Sequence, residues 1–223
     1  MEPHDALHTP IPPVYTDTPR KPPAAAPPEP VQIAIPDPSI TSDTALMARL
    51  TELVNAVYTA AEEGLFSPAY QRTSADELRQ LIRARELALA WRSDITAPTS
   101  QTPSAIPASA LVGCVRITSL SPTHGDFGML VCDPTFRGSG TGRDLVKFAE
   151  EASRAAGKTV MQCELLVSVD FSHPFKTRMQ GWYERMGYQV VKNGDFGADY
   201  PHIAPHLITK TEYRVFEKAL VTV

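Results

Sequence analysis

The sequence predicts one mixed α/β domain built on a mostly antiparallel sheet of about seven strands flanked by about four helices. The chain has 223 residues, of which 43% are hydrophobic and 21% are charged, as expected for a globular domain with its own core. Strand-like and helical patterns alternate in the order strand, two helices, three strands, helix, strand, helix, two strands. Consecutive strands without a helix between them favour antiparallel pairing.

The ends of the chain differ in composition. Residues 1–30 hold ten of the 21 prolines, and such a segment supports neither a helix nor a strand ladder. We therefore expect a disordered, proline-rich tail over residues 1–30 and a single domain over residues 31–223.

No apolar run is long enough to span a membrane, and no basic and apolar leader opens the chain, so we expect a cytoplasmic protein.

Charge and cysteine content narrow the classes of partner. The net charge of −4 gives no electrostatic basis for binding nucleic acid. Cys114, Cys132 and Cys163 lie in apolar runs and lack the spacing of a metal site. We predict reduced, buried thiols, no metal, no nucleic acid and no membrane partner; a homodimer stays open.

Capping residues mark the first two helices. Ser42 or Asp43 can cap a helix whose apolar residues recur every 3.6 positions and which ends near Gly64. Ser74 and Glu77 have capping-box spacing, which predicts a second helix. A polar, proline-bearing segment over residues 93–110 predicts a long flexible loop.

Seven apolar runs predict the strands, and two later amphipathic segments predict helices. The strand segments are VQIAI, LALAW, LVGCVRITSL, FGMLVC, TVMQCELLVSV, YQVV and TEYRVFEKAL. One helix is expected from about Gly142 to Ala156. The other covers HPFKTRMQGWYERMG, ends at Gly187, and is expected to bury four apolar side chains: Phe175, Met179, Trp182 and Met186.

A glycine-rich loop, Arg137-Gly138-Ser139-Gly140-Thr141-Gly142, lies between a strand and a helix and is followed by Arg143. Backbone N–H groups at a helix N-terminus form an anion site. Glycines let a ligand approach the backbone closely, and arginines supply countercharge. The pattern predicts a diphosphate-binding loop.

The other interpretations of this loop are a Walker loop, a Rossmann fingerprint and a turn that binds no ligand. A Walker loop requires a Lys and a hydroxyl residue after the last glycine, but Arg143 and Asp144 stand there. A Rossmann fingerprint requires a small residue where Arg143 lies and a turn directly after the strand, although Glu164 weakly imitates its ribose-binding acid. The glycines could also be needed only for the backbone to turn, without a bound ligand.

Two motifs in this order resemble the GCN5-related N-acetyltransferase (GNAT) superfamily. FGMLVCDPTFRGSGTGRDLVKFAEE resembles its motif A, and GWYERMGYQVV resembles its xxYxxxGF signature, with Tyr188 where phenylalanine is usual. The resemblance covers roughly residues 31–223. It implies the GNAT fold, with the sheet splayed between the fourth and fifth strands, and acetyl-CoA as the acyl donor.

The resemblance also implies a cofactor site. Arg137 to Gly142, with Arg143 alongside, would bind the pyrophosphate of CoA. The free edge near Leu130, Val131 and Cys132 would pair with pantetheine as an added strand. A backbone N–H near Leu130 or Val131 would polarise the thioester carbonyl.

Tyr183 matches the family tyrosine that protonates the leaving thiolate in many members. Many members also have an asparagine seven residues earlier, where this chain has Lys176. The connection SVDFSHPFK is longer than usual, which indicates a distinctive acceptor pocket.

An amine acceptor must lose a proton before it attacks, because an alkylammonium has a pKa near 10.4. Glu164 is the first candidate for the base, since the middle of its strand should border the cleft; a solvent-facing carboxylate is the alternative. His173 could act at the cleft mouth, cap its helix, or face solvent. Weaker candidates, most of them expected on loops, are His124, Asp126, Asp170, His202 and His206.

The sequence therefore predicts an enzyme that acetylates a primary amine of a small-molecule or amino-acid-like acceptor. A protein lysine or N-terminal acetyltransferase and a non-catalytic CoA-binding module are the alternatives. A dinucleotide oxidoreductase is a third.

Overall fold

The structure, a computed structural model, describes residues 30–92 and 103–220. The expected tail and the first part of the expected 93–110 loop lie outside these residues. The described residues form seven strands, and their bounds are β1 Val31–Ala34, β2 Leu87–Arg92, β3 Leu111–Ser119, β4 His124–Cys132, β5 Val160–Ser168, β6 Gln189–Gly194 and β7 Thr211–Ala219. The helices are α1 Thr44–Ala61, α2 Ala75–Arg83, α3 Thr141–Ala155, α4 Pro174–Arg185 and the single turn α5 Phe196–Asp199.

Short polar side chains start the first two helices as predicted. The carboxylate of Asp43 accepts hydrogen bonds from the backbone N–H groups of Ala45 and Leu46. The Ser74 hydroxyl accepts from the N–H of Glu77. The Glu77 carboxylate does not complete the capping box, because it accepts instead from the Thr73 hydroxyl at 2.9 Å.

The strands form one sheet in the order β1-β2-β3-β4-β5-β7-β6. All neighbouring pairs are antiparallel except β4 and β5, which are parallel. Consecutive strands pair through short connections in the first half, as the sequence predicted. The β4–β5 pair is parallel because α3 carries the chain back to the starting edge.

Two hydrophobic cores cover the two faces of the sheet. One packs α1 and α2 against residues such as Leu89, Met129 and Val131. The other packs α3 and α4 against Phe127, Cys163 and Phe216, among others. This three-layer arrangement fixes β4 and β5 between helices on both sides.

The buried face of α4 differs from the prediction. Phe175, Met179, Trp182 and Met186 are only half-buried, whereas Lys176 and Tyr183 are the buried residues of this helix. Trp182 and Met179 still pack against the edge of the core. The helix is therefore rotated relative to the prediction, so that Lys176 and Tyr183, which are seven residues apart, lie on its buried side.

The tyrosine in place of the family phenylalanine has a structural partner. Tyr188 is buried, and its hydroxyl donates to the Glu150 carboxylate at 2.8 Å. Glu150 is also buried and is paired with Lys218 at 2.8 Å. The hydroxyl thus adds a hydrogen bond to a buried carboxylate that is also paired with Lys218.

Candidate active site

The sheet opens between β4 and β5. Only three residue pairs align in register, from His124 with Val160 to Asp126 with Gln162. Beyond Asp126, β4 continues to Cys132 and β5 continues to Ser168 without pairing to each other. The facing backbone edges therefore have hydrogen-bonding groups free for an added strand.

A bulge in β4 lies inside this opening. Met129 has a positive φ of 44°, and the β3–β4 register shifts between the Cys114 and Arg116 positions. A positive φ is uncommon for a residue other than glycine and is found where backbone strain serves a site. The bulge re-aims the following residues, Leu130 to Cys132, which the sequence assigned to the cofactor.

The glycine loop forms the entry to α3. Gly138 and Gly140 have φ values of 83° and 96°, and Gly140 is the N-cap of the helix. A Cβ at Gly138 would meet nothing within 4 Å, so this side of the loop is open. Left-handed backbone at these positions explains the two glycines.

Backbone donors converge on this open side. Among the described residues, the N–H groups of Gly138, Gly140, Gly142 and Arg143 donate to no acceptor in the chain. Unpaired N–H groups at the start of a helix, added to the helix dipole, attract an anion. The loop predicted to bind a diphosphate thus has the required donors in place.

Two arginines flank the loop. Arg137 is exposed and forms no ion pair within the described residues. Arg143 contacts Asp144 only loosely, at 3.8 Å between Nε and Oδ1, and both side chains are more than half exposed. Both guanidinium groups are therefore available to a doubly charged ligand.

Asp133 ties the loop to the first helix. Its carboxylate accepts from Arg49 of α1 at 2.8 Å and from the N–H of Thr135 at 2.9 Å. These contacts hold the pKa of Asp133 below its ordinary value, even though partial burial acts in the opposite direction. The carboxyl end of β4 is thereby fixed relative to α1.

Tyr183 lies on the α3–α4 side of the opening. It is 5% exposed, and its ring contacts the rings of Phe127, Tyr188 and Phe216 at centroid distances of 6.0, 6.1 and 5.6 Å. Burial raises the pKa of the phenol well above 10, and the charges of Cys163, Tyr58 and Glu164 act in the same direction. The hydroxyl forms no hydrogen bond within the described residues and is free to donate one.

Two carboxyl groups meet where the sheet opens. Asp126 is in the last paired rung of β4, and Glu164 follows the last paired residue of β5 by two positions. Their neighbours Phe127 and Cys163 pack into the α3–α4 core, so both carboxyls point to the α1–α2 face of the sheet. The sequence placed Glu164 correctly, but the expectation of a loop at Asp126 was wrong, because β4 begins earlier, at His124.

The two carboxyls hold protons more strongly than isolated acids. Burial, followed by the charge of Glu164, raises the pKa of Asp126 to about 8. Burial also raises the pKa of Glu164, while Gln162 and Tyr213 oppose that increase. The Asp126 Oδ2 accepts from Thr118 at 3.3 Å, whereas Oδ1 is buried without a partner among the described residues. Paired titratable groups with shifted pKa values are typical of acid–base sites.

Aromatic residues from the last third of the chain surround Glu164. The charge of Glu164 raises the pKa of the phenols of Tyr200 and Tyr213, after the larger effect of burial. The two rings contact each other edge to face at 5.8 Å. Sequence analysis missed both tyrosines, because neither lies in a motif and only the folding of the β6–β7 connection brings them to β5.

His173 is at the N-cap of α4, as one expectation had it, but its side chain makes no capping bond. Both ring nitrogens are buried without a partner among the described residues, and the ring lies 6.0 Å from that of Phe171. It lines a cavity of about 310 Å³ together with Lys176 and Gln180 of α4. The structure therefore places His173 beside α4, and no hydrogen bond links it to the carboxyl pair.

The weaker candidates lie elsewhere. Asp170 is engaged in loop structure, since its carboxylate accepts from the Thr209 hydroxyl at 2.7 Å and the Lys210 N–H at 2.9 Å. His124 begins β4, with its ring 3.9 Å from Glu217. His202 and His206 are exposed in the β6–β7 connection, as expected.

Lys176, the residue in the family asparagine position, forms a buried ion pair. Its ammonium lies 2.9 Å from the Glu62 carboxylate, and the two side chains are 7% and 13% exposed. Glu62 follows the end of α1, so the pair connects helices that cover opposite faces of the sheet. Sequence analysis singled out Lys176 as a departure but had no signal for its partner, which is 114 residues away.

The thiols and the surface agree in part with expectation. The three cysteines are free; Cys114 and Cys163 are buried, as predicted, whereas Cys132 is half-buried at the open edge of β4. Within residues 30–92 and 103–220, no helix has the length and apolar character needed to cross a membrane.

Comparisons with known proteins show which family this chain resembles. The family described as the acetyltransferase (GNAT) domain matches residues 105–190, the segment that contains β3 to β5, the glycine loop, α3 and α4. No curated protein sequence matches the chain.

Solved structures share the fold at low sequence identity. An aminoglycoside 6'-N-acetyltransferase complexed with coenzyme A is 14% identical with a TM-score of 0.54, over 81% of this chain and 93% of that one. The protein smu.2055 of Streptococcus mutans is 14% identical with a TM-score of 0.55, over 86% and 99%. N-acetylglutamate synthase of Neisseria gonorrhoeae, complexed with coenzyme A and N-acetyl-glutamate, is 14% identical with a TM-score of 0.53, over 86% of this chain and 35% of that one.

The splayed sheet and the glycine loop at a helix N-terminus are features of a GNAT-type fold, which the solved structures share. Together with the family model that matches residues 105–190, they make this chain similar to the GNAT superfamily.

Proposed function

We propose that this protein is an N-acetyltransferase that moves the acetyl group of acetyl-CoA directly to a primary amine of a small-molecule or amino-acid-like acceptor. The observation that carries the proposal is the set of N–H groups of Gly138, Gly140, Gly142 and Arg143, which have no acceptor among the described residues. They lie at the start of α3, beside the unpaired edge of β4. That combination suits a ligand with a diphosphate and an extended amide-bearing arm. The GNAT neighbours solved with coenzyme A support the same donor.

Each part of the donor would have a separate binding group. Arg137, the loop amides and Arg143 bind the pyrophosphate. The edge of β4 from Leu130 to Cys132 pairs with the pantetheine amides. Acetyl-CoA supplies an activated thioester, and an N–H at Leu130 or Val131 stabilises the negative charge that develops on its carbonyl oxygen.

Glu164 is the proposed base. Its carboxylate faces the α1–α2 side of the opening, and burial raises its pKa. Burial and the charge of Glu164 raise the pKa of Asp126 to about 8, which favours the protonated form of Asp126 at pH 7. We expect Glu164→Gln to lower kcat by roughly 10²–10⁴-fold, the usual contribution of a positioned base. The rise of kcat/KM with pH should disappear in the same variant.

The proposal is tested at the glycine loop. We expect Gly142→Glu to abolish acetyl-CoA binding while the circular dichroism spectrum is unchanged, because a carboxylate in the first turn repels the diphosphate. Gly142→Ala is the matched control, since its Cβ would lie 4.0 Å from Trp182, an ordinary contact. Unchanged acetyl-CoA affinity in Gly142→Glu, measured by calorimetry, would exclude this loop as the cofactor site.

Catalysis is measured as release of free thiol from acetyl-CoA in the presence of an amine library, with products identified by mass spectrometry. Tight CoA binding without thiol release would instead support a non-catalytic module. NAD(P) that outcompetes CoA would support the oxidoreductase alternative.

A further inference from the structure

The opening between β4 and β5 is bridged at its far end. The α1–α2 connection belongs to the half of the sheet that contains β1 to β4, and the β6–β7 connection belongs to the other half. Phe66 and Leu207 form an antiparallel bridge. The Ser67 N–H donates to His206 O at 2.9 Å, and the Ile208 N–H donates to Leu65 O at 3.0 Å. We call the paired segments 65–67 and 206–208 the clasp.

Side chains next to the clasp join the same two halves. The buried Lys176–Glu62 pair spans 2.9 Å. A Cβ on Gly64 would lie 3.1 Å from Cζ of Phe171, so the α1–α2 and β5–α4 connections are in close contact. The clasp is therefore part of a packed junction rather than two loops that touch at one point.

Aromatic rings lead from the clasp to the proposed base. Tyr70 stacks on Phe66 at 4.7 Å, and Phe66 lies 6.3 Å from Phe196. Phe196 contacts Tyr213 at 5.4 Å, and the Tyr213 phenol faces Glu164, whose pKa it lowers. Three of these rings, Phe66, Tyr70 and Phe196, are half-buried, so they retain surface for a ligand.

We propose that the acceptor is a small primary amine with an apolar or aromatic body, taken up beneath the closed clasp with its ammonium directed at Glu164 and Asp126. This inference rests on the proposed function and specifies its acceptor. Aromatic surfaces bind apolar groups and attract a cation to their faces, and the carboxyl pair supplies the complementary charge.

Two other classes of acceptor fit this site poorly. A polypeptide segment that carries a lysine binds in an extended form along an open groove, and the clasp hydrogen bonds occupy the backbone groups that would line such a groove. A polyhydroxylated aminoglycoside requires a hydrogen-bonding partner for each buried hydroxyl, which a ring-lined wall cannot supply.

The first experiment compares acceptors with the full-length protein and acetyl-CoA. Phenethylamine and hexylamine are the small probes; kanamycin, a lysine-containing decapeptide and a folded lysine-rich protein are the competitors. We expect kcat/KM for the small amines to exceed that for every competitor by at least about tenfold, or ~1.4 kcal/mol in transition-state binding. A preference for kanamycin, the peptide or the folded protein would overturn the inference.

The second experiment locks the clasp. Directly opposed residues of antiparallel segments lie within the Cα separation that a disulfide spans. Ser67 and His206 are opposed next to the Phe66–Leu207 bridge, so Ser67→Cys/His206→Cys should crosslink on oxidation with Phe66 retained. The reduced form of the same double variant is the matched control, and His206→Cys alone controls for oxidation of native thiols. We expect kcat/KM for phenethylamine in the oxidised form to remain within about twofold of the reduced form.

Each remaining outcome separates the two proposals. Loss of activity on oxidation but not in the reduced form would show that the clasp must open, which contradicts uptake beneath it. Failure of the disulfide to form would contradict the bridge itself. If no amine accepts acetyl while acetyl-CoA still binds, the proposed acetyl transfer fails, irrespective of the clasp.

Discussion

Tyr183 and Trp182 are adjacent aromatic residues of α4 that differ in burial. The sequence predicted that Trp182 would be buried, but Tyr183 is the buried one of the two. Its position among Phe127, Tyr188 and Phe216 fixes the ring. Its raised pKa keeps the phenol protonated, so the phenol can donate a hydrogen bond to a thiolate.

We therefore expect Tyr183→Phe to lower kcat by more than it weakens CoA affinity. The substitution removes only the hydroxyl, and the ring packing is retained. Steady-state kinetics and calorimetry with CoA measure the two effects separately. Equal turnover in both proteins would remove Tyr183 from the proton-transfer step.

Asp126 makes stability depend on pH. Below about pH 4 the carboxyl is protonated in both the unfolded and the folded chain. Between there and its folded pKa of about 8, the folded chain keeps a proton that the unfolded chain has lost, so the free energy of unfolding decreases as pH rises. Glu164 and Arg116 face the same carboxyl and act in opposite directions on it.

We expect Asp126→Asn to be stabilised relative to the wild type by an amount that grows from pH 5 to pH 9. Urea unfolding at pH 5, 7 and 9 measures this difference. Asp170→Asn is the matched control, because hydrogen bonds lower the pKa of Asp170 and its effect on stability should stay constant over that range. A difference for Asp126→Asn that does not change with pH would contradict the raised pKa.

At the scale of elements, the clearest link is between α1 and α4. A buried ion pair stabilises little relative to a well-packed apolar pair, but a single buried charge left without its partner is costly. Lys176 and Glu62 form such a buried pair: the Lys176 ammonium lies 2.9 Å from the Glu62 carboxylate, and both side chains are almost inaccessible to solvent.

We expect Lys176→Met and Glu62→Gln each to lower the free energy of unfolding by about 3–5 kcal/mol. The double variant should recover a large part of that loss, because neither charge is then left buried alone. Glu52→Gln is the control: its exposed pair with Arg49 should contribute about 1 kcal/mol or less. Additive losses in chemical denaturation would show that the two side chains do not interact.

The elements themselves could be predicted from local signals. Asp43, Ser74 and the glycine after α4 mark helix ends through hydrogen bonds and backbone conformations that depend on nearby residues. The short turn α5 was not predicted, since four residues carry no periodicity. The rotation of α4 was predicted incorrectly, because it buries Lys176, whose partner Glu62 follows the end of α1 and is far away in the sequence.

At the scale of the whole molecule, the sheet consists of two halves, β1 to β4 and β5 to β7. They separate between β4 and β5 beyond the three paired residues. Three rungs join β4 to β5 at one end, and the clasp joins the halves at the other. The proposed site is the gap between them. The proposed cofactor side is one continuous segment, from β4 through the glycine loop to α3, whereas the proposed acceptor side collects residues from connections far apart in the chain.

This difference separates the features that the sequence predicts from those that only the tertiary structure shows. The sequence by itself determined the fold class, the glycine-rich loop between β4 and α3, and the place of Glu164 within its strand, because each depends on spacing within one strand, loop or helix. Only the tertiary structure decided that Asp126 is the partner of Glu164, that Glu62 is paired with Lys176, and that Tyr200 and Tyr213 lie beside Glu164. Those pairings arise when distant segments pack together, and no local pattern in a single sequence records them.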